Sequence, residues 1–168
     1  MTLATRLPPL LVAALVLHTA VLPQLRVLGV APDLLLVLGI ATGLAAGSDR
    51  GAVVGFVAGL LADCFLQTPF GLSALCYSLV GYAVGSVQAT ILHATRWIPV
   101  ATAVVASAAG VTLFAVLGAV LGSDELLDGR LPTIVVVVAC LNGLLLLAVA
   151  RPVRWATAPD VAGRAVPR

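Results

Sequence analysis

The stretch "GAVVGFVAGLLADC", residues 51 to 64, decides the fold. Glycine returns every fourth residue, at Gly51, Gly55 and Gly59, and the next step of that rhythm falls on Asp63. The residues between the glycines are apolar up to Ala62. Residues four apart share one face of an α-helix. The three glycines therefore form a strip free of side chains, ended by a carboxyl group. In lipid, helices associate through close packing, and small residues repeated at this spacing allow it.

The bulk composition places that helix in a membrane. The chain has 168 residues, of which 61% are hydrophobic and 10% charged, and its mean hydropathy is +1.17. Soluble domains carry about 25% charge, and so few charges would not cover a soluble core of this size. Several apolar runs approach the ~20 residues needed to cross a bilayer. The expected architecture is an all-α integral membrane protein, a six-helix transmembrane bundle over residues 1–150. The spans read as 7–28, 32–46, 51–66, 70–92, 97–121 and 132–150. Pro8 and Pro9 fall in the first turn of the first span, where proline is tolerated, and that span reads as an uncleaved helix rather than a signal peptide. Pro32 and Pro132 suit the first position of the spans they open. The tail "RPVRWATAPDVAGRAVPR", residues 151–168, reads as cytoplasmic and disordered after its first few residues.

All nine basic residues are arginines. With six spans, Arg6, Arg50, Arg96, Arg151, Arg154, Arg164 and Arg168 share one side, and only Arg26 and Arg130 lie on the other. The excess of positive charge marks the cytoplasmic side, so both ends are expected there. Arg151, Arg154 and Trp155 read as interface anchors that also suit anionic lipid. The opposite loop carries Asp124, Glu125 and Asp128. The net charge of +2 gives no indication of nucleic-acid binding.

Further small-residue faces recur at Gly39 and Gly43, at Gly81 and Gly85, at Ala106 and Gly110, and at Gly118 and Gly122. These strips either pack helices within one bundle or receive a helix from another protein, and one sequence does not separate the two. Asp63 lies ~20 Å along its helix from Arg50, by the 1.5 Å rise per residue. A carboxylate at membrane depth is costly without a partner. Ser73, Tyr77 and the backbone near Gly71 lie at matching depth. Asp33 stands where a helix dipole favours an anion, and Asn142 is placed to bridge helices. For Asp63 the readings are an internal hydrogen-bond hub, a partner contact, or an ion relay. A relay would need further ionisable groups in the other half of the membrane, and none is there.

Catalytic chemistry finds no support. No Ser/His/Asp set, HExxH or phosphate loop is present. Cys64, Cys76 and Cys140 sit in apolar runs without metal-ligand spacing, and His18 and His93 form no metal pair. Neither an enzyme nor a cofactor is expected.

The segments "PDLLLVLGIATGL" (32–44) and "GAVVGFVAGLLADCFLQTPFGLSALCYSLVGYAVG" (51–85) resemble the rod shape-determining protein MreD family. The pattern is carried by Pro32 and Asp33, by Gly55, Phe56, Gly59 and Asp63, by Gly71 and by Tyr82, with Asn142 and Gly143 before a basic end. The alanine-rich first span and the arginine-bearing tail depart from it. The resemblance implies a fold similar to the six-helix membrane subunits of energy-coupling-factor vitamin importers. It also implies a non-enzymatic scaffold of the bacterial cell-elongation and peptidoglycan-synthesis complex. Its implied partners are MreC and, directly or through it, MreB, the RodA glycan polymerase and a class B penicillin-binding protein. The candidate structural or partner-binding residues are Pro32, Asp33, Gly51, Gly55, Gly59, Asp63, Gly71, Tyr77, Gly81, Gly85 and Asn142. Homodimerisation stays open. The competing reading is a substrate-binding subunit of a small-molecule importer, which would need an outward cavity lined by polar and aromatic groups.

Overall fold

The computed structural model describes residues 3–65, 69–88, 97–122 and 129–157. Among them are six α-helices: α1 (Leu3–Ala20), α2 (Leu34–Ala46), α3 (Ser48–Asp63), α4 (Leu72–Ser86), α5 (Ile98–Val120) and α6 (Leu131–Thr157). A short 3-10 turn, Leu22–Gln24, follows α1. The expected acidic loop at Asp124, Glu125 and Asp128, His93, Arg96, the last residues of spans three and four, and the tail from 158 lie outside the described residues.

The helix ends differ from the sequence reading for local reasons. The first helix stops at Ala20 rather than continuing to Leu28. Pro23, inside the 3-10 turn, has no N–H to extend a helix, and the chain then reverses through a bridge between Val27 and Val30. The same helix begins at Leu3, so Pro8 and Pro9 lie inside it and not in its first turn. Asp63 ends α3, with Cys64 and Phe65 already in a turn. The last helix does not end at Ala150. It runs through Arg151 and Pro152 to Thr157, because Val153, Ala156 and Thr157 are buried against the bundle. Those first seven residues of the expected disordered tail are therefore helical.

Helix α2 is the centre of the molecule. Every residue from Leu34 to Leu44 is buried, as befits a helix that is apolar all round. It contacts all five other helices. At 1.5 Å per residue α2, α3 and α4 span only ~20–24 Å, less than the ~30 Å of bilayer hydrocarbon. Three others are long and apolar enough to cross a membrane: α1 with its following turn, α5 and α6. Their outward faces carry apolar side chains such as Val16, Val105, Val120, Val136, Leu144 and Leu147, a surface that lipid covers without cost.

The helices α2, α3 and α4 meet backbone to backbone. A methyl group built on Gly51 would stand 2.5 Å from the Gly81 carbonyl oxygen and 2.7 Å from Gly43 Cα. One on Gly43 would stand 2.6 Å from the same carbonyl oxygen. One on Gly59 would reach 2.5 Å from the Ala74 nitrogen. Gly55 faces the Tyr77 carbonyl, Gly81 faces Gly51, and Gly85 faces Ser48. Only hydrogen fits at these positions. Gly47, the single residue between α2 and α3, has φ +92°, a conformation that other L-residues rarely adopt. It turns the chain so that the two helices lie antiparallel from their first residues.

Candidate functional site

The end of the bundle where α2 and α4 begin gathers most of the buried polar groups, Thr42 and Thr157 lying elsewhere. Asp63 closes α3 and reaches across to the start of α4. Its Oδ2 accepts the Gly71 N–H at 2.8 Å and the Ala74 N–H at 3.3 Å, and its Oδ1 accepts the Ser73 N–H at 3.1 Å. These are among the orphan donors that every helix start exposes, and the positive end of the helix dipole favours a carboxyl group there. The glycine strip and the acid are one device. The strip brings α3 against α4 along its length, and Asp63 satisfies the start of α4 where the strip ends. Of the partners suggested by the sequence, the backbone near Gly71 and at Ser73 is engaged. Tyr77 binds elsewhere, and the Ser73 hydroxyl is buried without a partner.

A second cluster joins four helices. Asp33 caps α2, its Oδ1 accepting the Leu36 N–H at 3.1 Å, as an N-cap aspartate does. The Tyr77 hydroxyl of α4 donates to the other oxygen, Oδ2. The Asp33 N–H donates to Asn142 Oδ1 of α6 at 2.8 Å, and Asn142 Nδ2 donates to Ser107 Oγ of α5 at 3.1 Å. Asn142 and Ser107 are fully buried. The chain of bonds from Tyr77 to Ser107 thus fixes α4, α2, α6 and α5 against one another. Pro32 is buried beside it and precedes the N-cap Asp33, so it lies outside α2 rather than at the helix's first position.

Beside the second cluster lies a cavity of about 420 Å³, lined by Asp33, Tyr77, Phe65 and Phe114 among others, and by His18 of α1. From the sequence, His18 reads only as forming no metal pair with His93, and Ser107 carries no reading. A serine inside an apolar run opposite an asparagine was the available signal for Ser107. No local pattern marks His18, which joins the site only because α1 folds back against α2.

The glycines have a different place from a docking surface. Gly51, Gly55, Gly59, Gly81 and Gly85 all face helices of this chain. Within this chain the strips of α2, α3 and α4 pack against one another, whereas Gly122 meets no atom within 4 Å. At the opposite end, Arg6 Nη1 donates to the Trp155 carbonyl at 3.2 Å, and its guanidinium stacks 5.0 Å from the Trp155 ring. The first and last helices are thereby tied at the arginine-rich end.

Fold and site together define a multi-spanning α-helical membrane protein whose buried polar groups bind its own helices to one another. The family profile described as rod shape-determining protein MreD matches residues 2–151. The chain belongs to the MreD family, whose description assigns it to the determination of rod shape. No curated protein and no solved structure matches the chain.

Proposed function

We propose that this protein is a non-enzymatic scaffold of the bacterial cell-elongation machinery, lying in the cytoplasmic membrane with both ends inside. It holds the bitopic protein MreC and, directly or through it, supports MreB, the RodA glycan polymerase and a class B penicillin-binding protein in lateral wall synthesis. The observation that carries this reading is the family match over residues 2–151. The packing is consistent with it. Asp33, Asp63, Tyr77, Ser107 and Asn142 are all engaged in holding helices together. Such a rigid body suits holding other proteins in place. A likeness to the membrane subunits of energy-coupling-factor importers belongs to the same proposal, as a bundle of that type without transport.

With the strips of α2, α3 and α4 packed within this chain, the partner helix in this reading docks on an outward face. The outer surfaces of α3 and α4 present Val53, Phe56 and Val57 beside Leu75, Leu79 and Tyr82. Photocrosslinking from Phe56, Leu79 and, on the far side, Leu144 in native membranes tests the reading. Adducts to a bitopic cell-elongation protein from one face and not the other are expected. Adducts to an ATPase module, with none to a wall-synthesis protein, would overturn it. They would favour the importer reading, for which the cavity beside Phe65, Tyr77 and Phe114 is the one specific observation.

A further inference from the structure

The cavity at the Asp33 end has walls that are mostly apolar and three polar groups with unfilled hydrogen-bonding capacity. The Asp33 carboxyl oxygens hold one partner each, the Leu36 N–H and the Tyr77 hydroxyl, while a carboxylate offers about four acceptor positions. The Tyr77 oxygen uses its proton on Asp33 and keeps its lone pairs. His18 Nδ1 is buried with no partner, and with the ring proton on Nε2 it too is an acceptor. Each of these groups lines the same space, and no arginine among the described residues lines it. An unpartnered buried polar atom costs free energy until something meets it. The volume of about 420 Å³ lies within the ~300–1,000 Å³ of small-molecule sites, which are likewise apolar with a few placed polar groups.

We infer that this cavity binds a small amphiphile whose polar end is a cationic hydrogen-bond donor, an ammonium group or its like. The head donates to Asp33 and to His18 Nδ1, and the hydrocarbon part lies against Phe65, Val111 and Phe114. A carboxylate or phosphate head brings acceptor oxygens against the Asp33 and His18 acceptors and offers them no donor. A bare acyl chain leaves His18 Nδ1 unmet. The inference goes beyond the scaffold reading and does not depend on it, since ligand binding requires neither transport nor MreC.

The test uses the full-length protein in phosphatidylcholine nanodiscs, with dodecylamine, dodecanol and dodecanoate as probes and native mass spectrometry as the readout. One dodecylamine per chain is expected, bound about tenfold or more tighter than dodecanoate, the scale of a charge-assisted hydrogen bond. Asp33→Asn keeps a good N-cap residue and removes the charge. It should weaken the amine about tenfold and leave dodecanol nearly unchanged. Val111→Trp fills the apolar part and should abolish binding of both. Equal binding of the three probes would overturn the inference, because it would show partitioning of an acyl chain alone. So would preference for dodecanoate, or amine binding indifferent to Asp33→Asn. The Asp33→Asn comparison decides the matter even if Val111→Trp does not fold.

Discussion

Replacing Asp63 by alanine removes the acceptor of three backbone N–H groups at once. Two of them belong to Ser73 and Ala74, which are 0% exposed, so water does not take the place of the carboxyl group. A buried donor left unpaired costs about 1–3 kcal/mol. Two such losses sum to ~2–6 kcal/mol, and relief from holding a carboxylate out of water returns part of it. A net loss of ~3 kcal/mol follows, about a hundredfold in the folded-to-unfolded ratio. Asp63→Asn keeps one acceptor oxygen and should lose about half as much, near the ~1 kcal/mol typical of a cap. The assay is reversible unfolding in mild detergent by titration with dodecyl sulfate, followed by far-ultraviolet circular dichroism. An Asp63→Ala protein within ~0.5 kcal/mol of the wild type, the ordinary range for a surface change, would refute the capping role. So would an asparagine variant less stable than the alanine one.

Gly59→Ala pushes a methyl group into the backbone of Ala74 and should cost ~1–3 kcal/mol in the same titration, as overpacking does. Gly71→Ala meets no atom within 4 Å but sits at φ +95°, so its loss should be nearer ~1 kcal/mol, from backbone strain alone. Asn142→Ala leaves the part-buried Asp33 N–H and the buried Ser107 hydroxyl without their partner and should lower stability by ~1–3 kcal/mol. Combined with Ser107→Ala it should cost less than the sum of the two single changes, since the pair is coupled. Tyr77→Phe removes one donor from Asp33, which keeps its bond to Leu36, and should cost about 1 kcal/mol in thermal melting.

The sequence determined whatever is local or periodic. The run from Gly51 to Asp63 announced a helix with a close-packing face because a period near four residues is a property of the helix itself. Asp33 was legible as an anion at a helix start, but the structure moves that start from Pro32 to Leu34 and makes Asp33 the N-cap. The apolar runs gave six helices in a membrane setting, and the family pattern in residues 32–85 was legible from residue types alone. Helix ends were less legible. Nothing around Arg151 and Pro152 signals continuation, and the helix persists there because Val153 and Ala156 find a surface to bury against.

Tertiary structure decided which faces meet. The glycine strips of α2, α3 and α4 were equally fit for this chain or for a foreign helix, and the choice depends on all three helices converging at one level. The link from Tyr77 through Asp33 and Asn142 to Ser107 joins residues as much as 109 positions apart, a pairing that no local spacing encodes. His18 belongs to the cavity only because α1 returns alongside α2. Close packing and buried hydrogen bonds are satisfied jointly across the bundle. The partners in them exist only once every helix is in place.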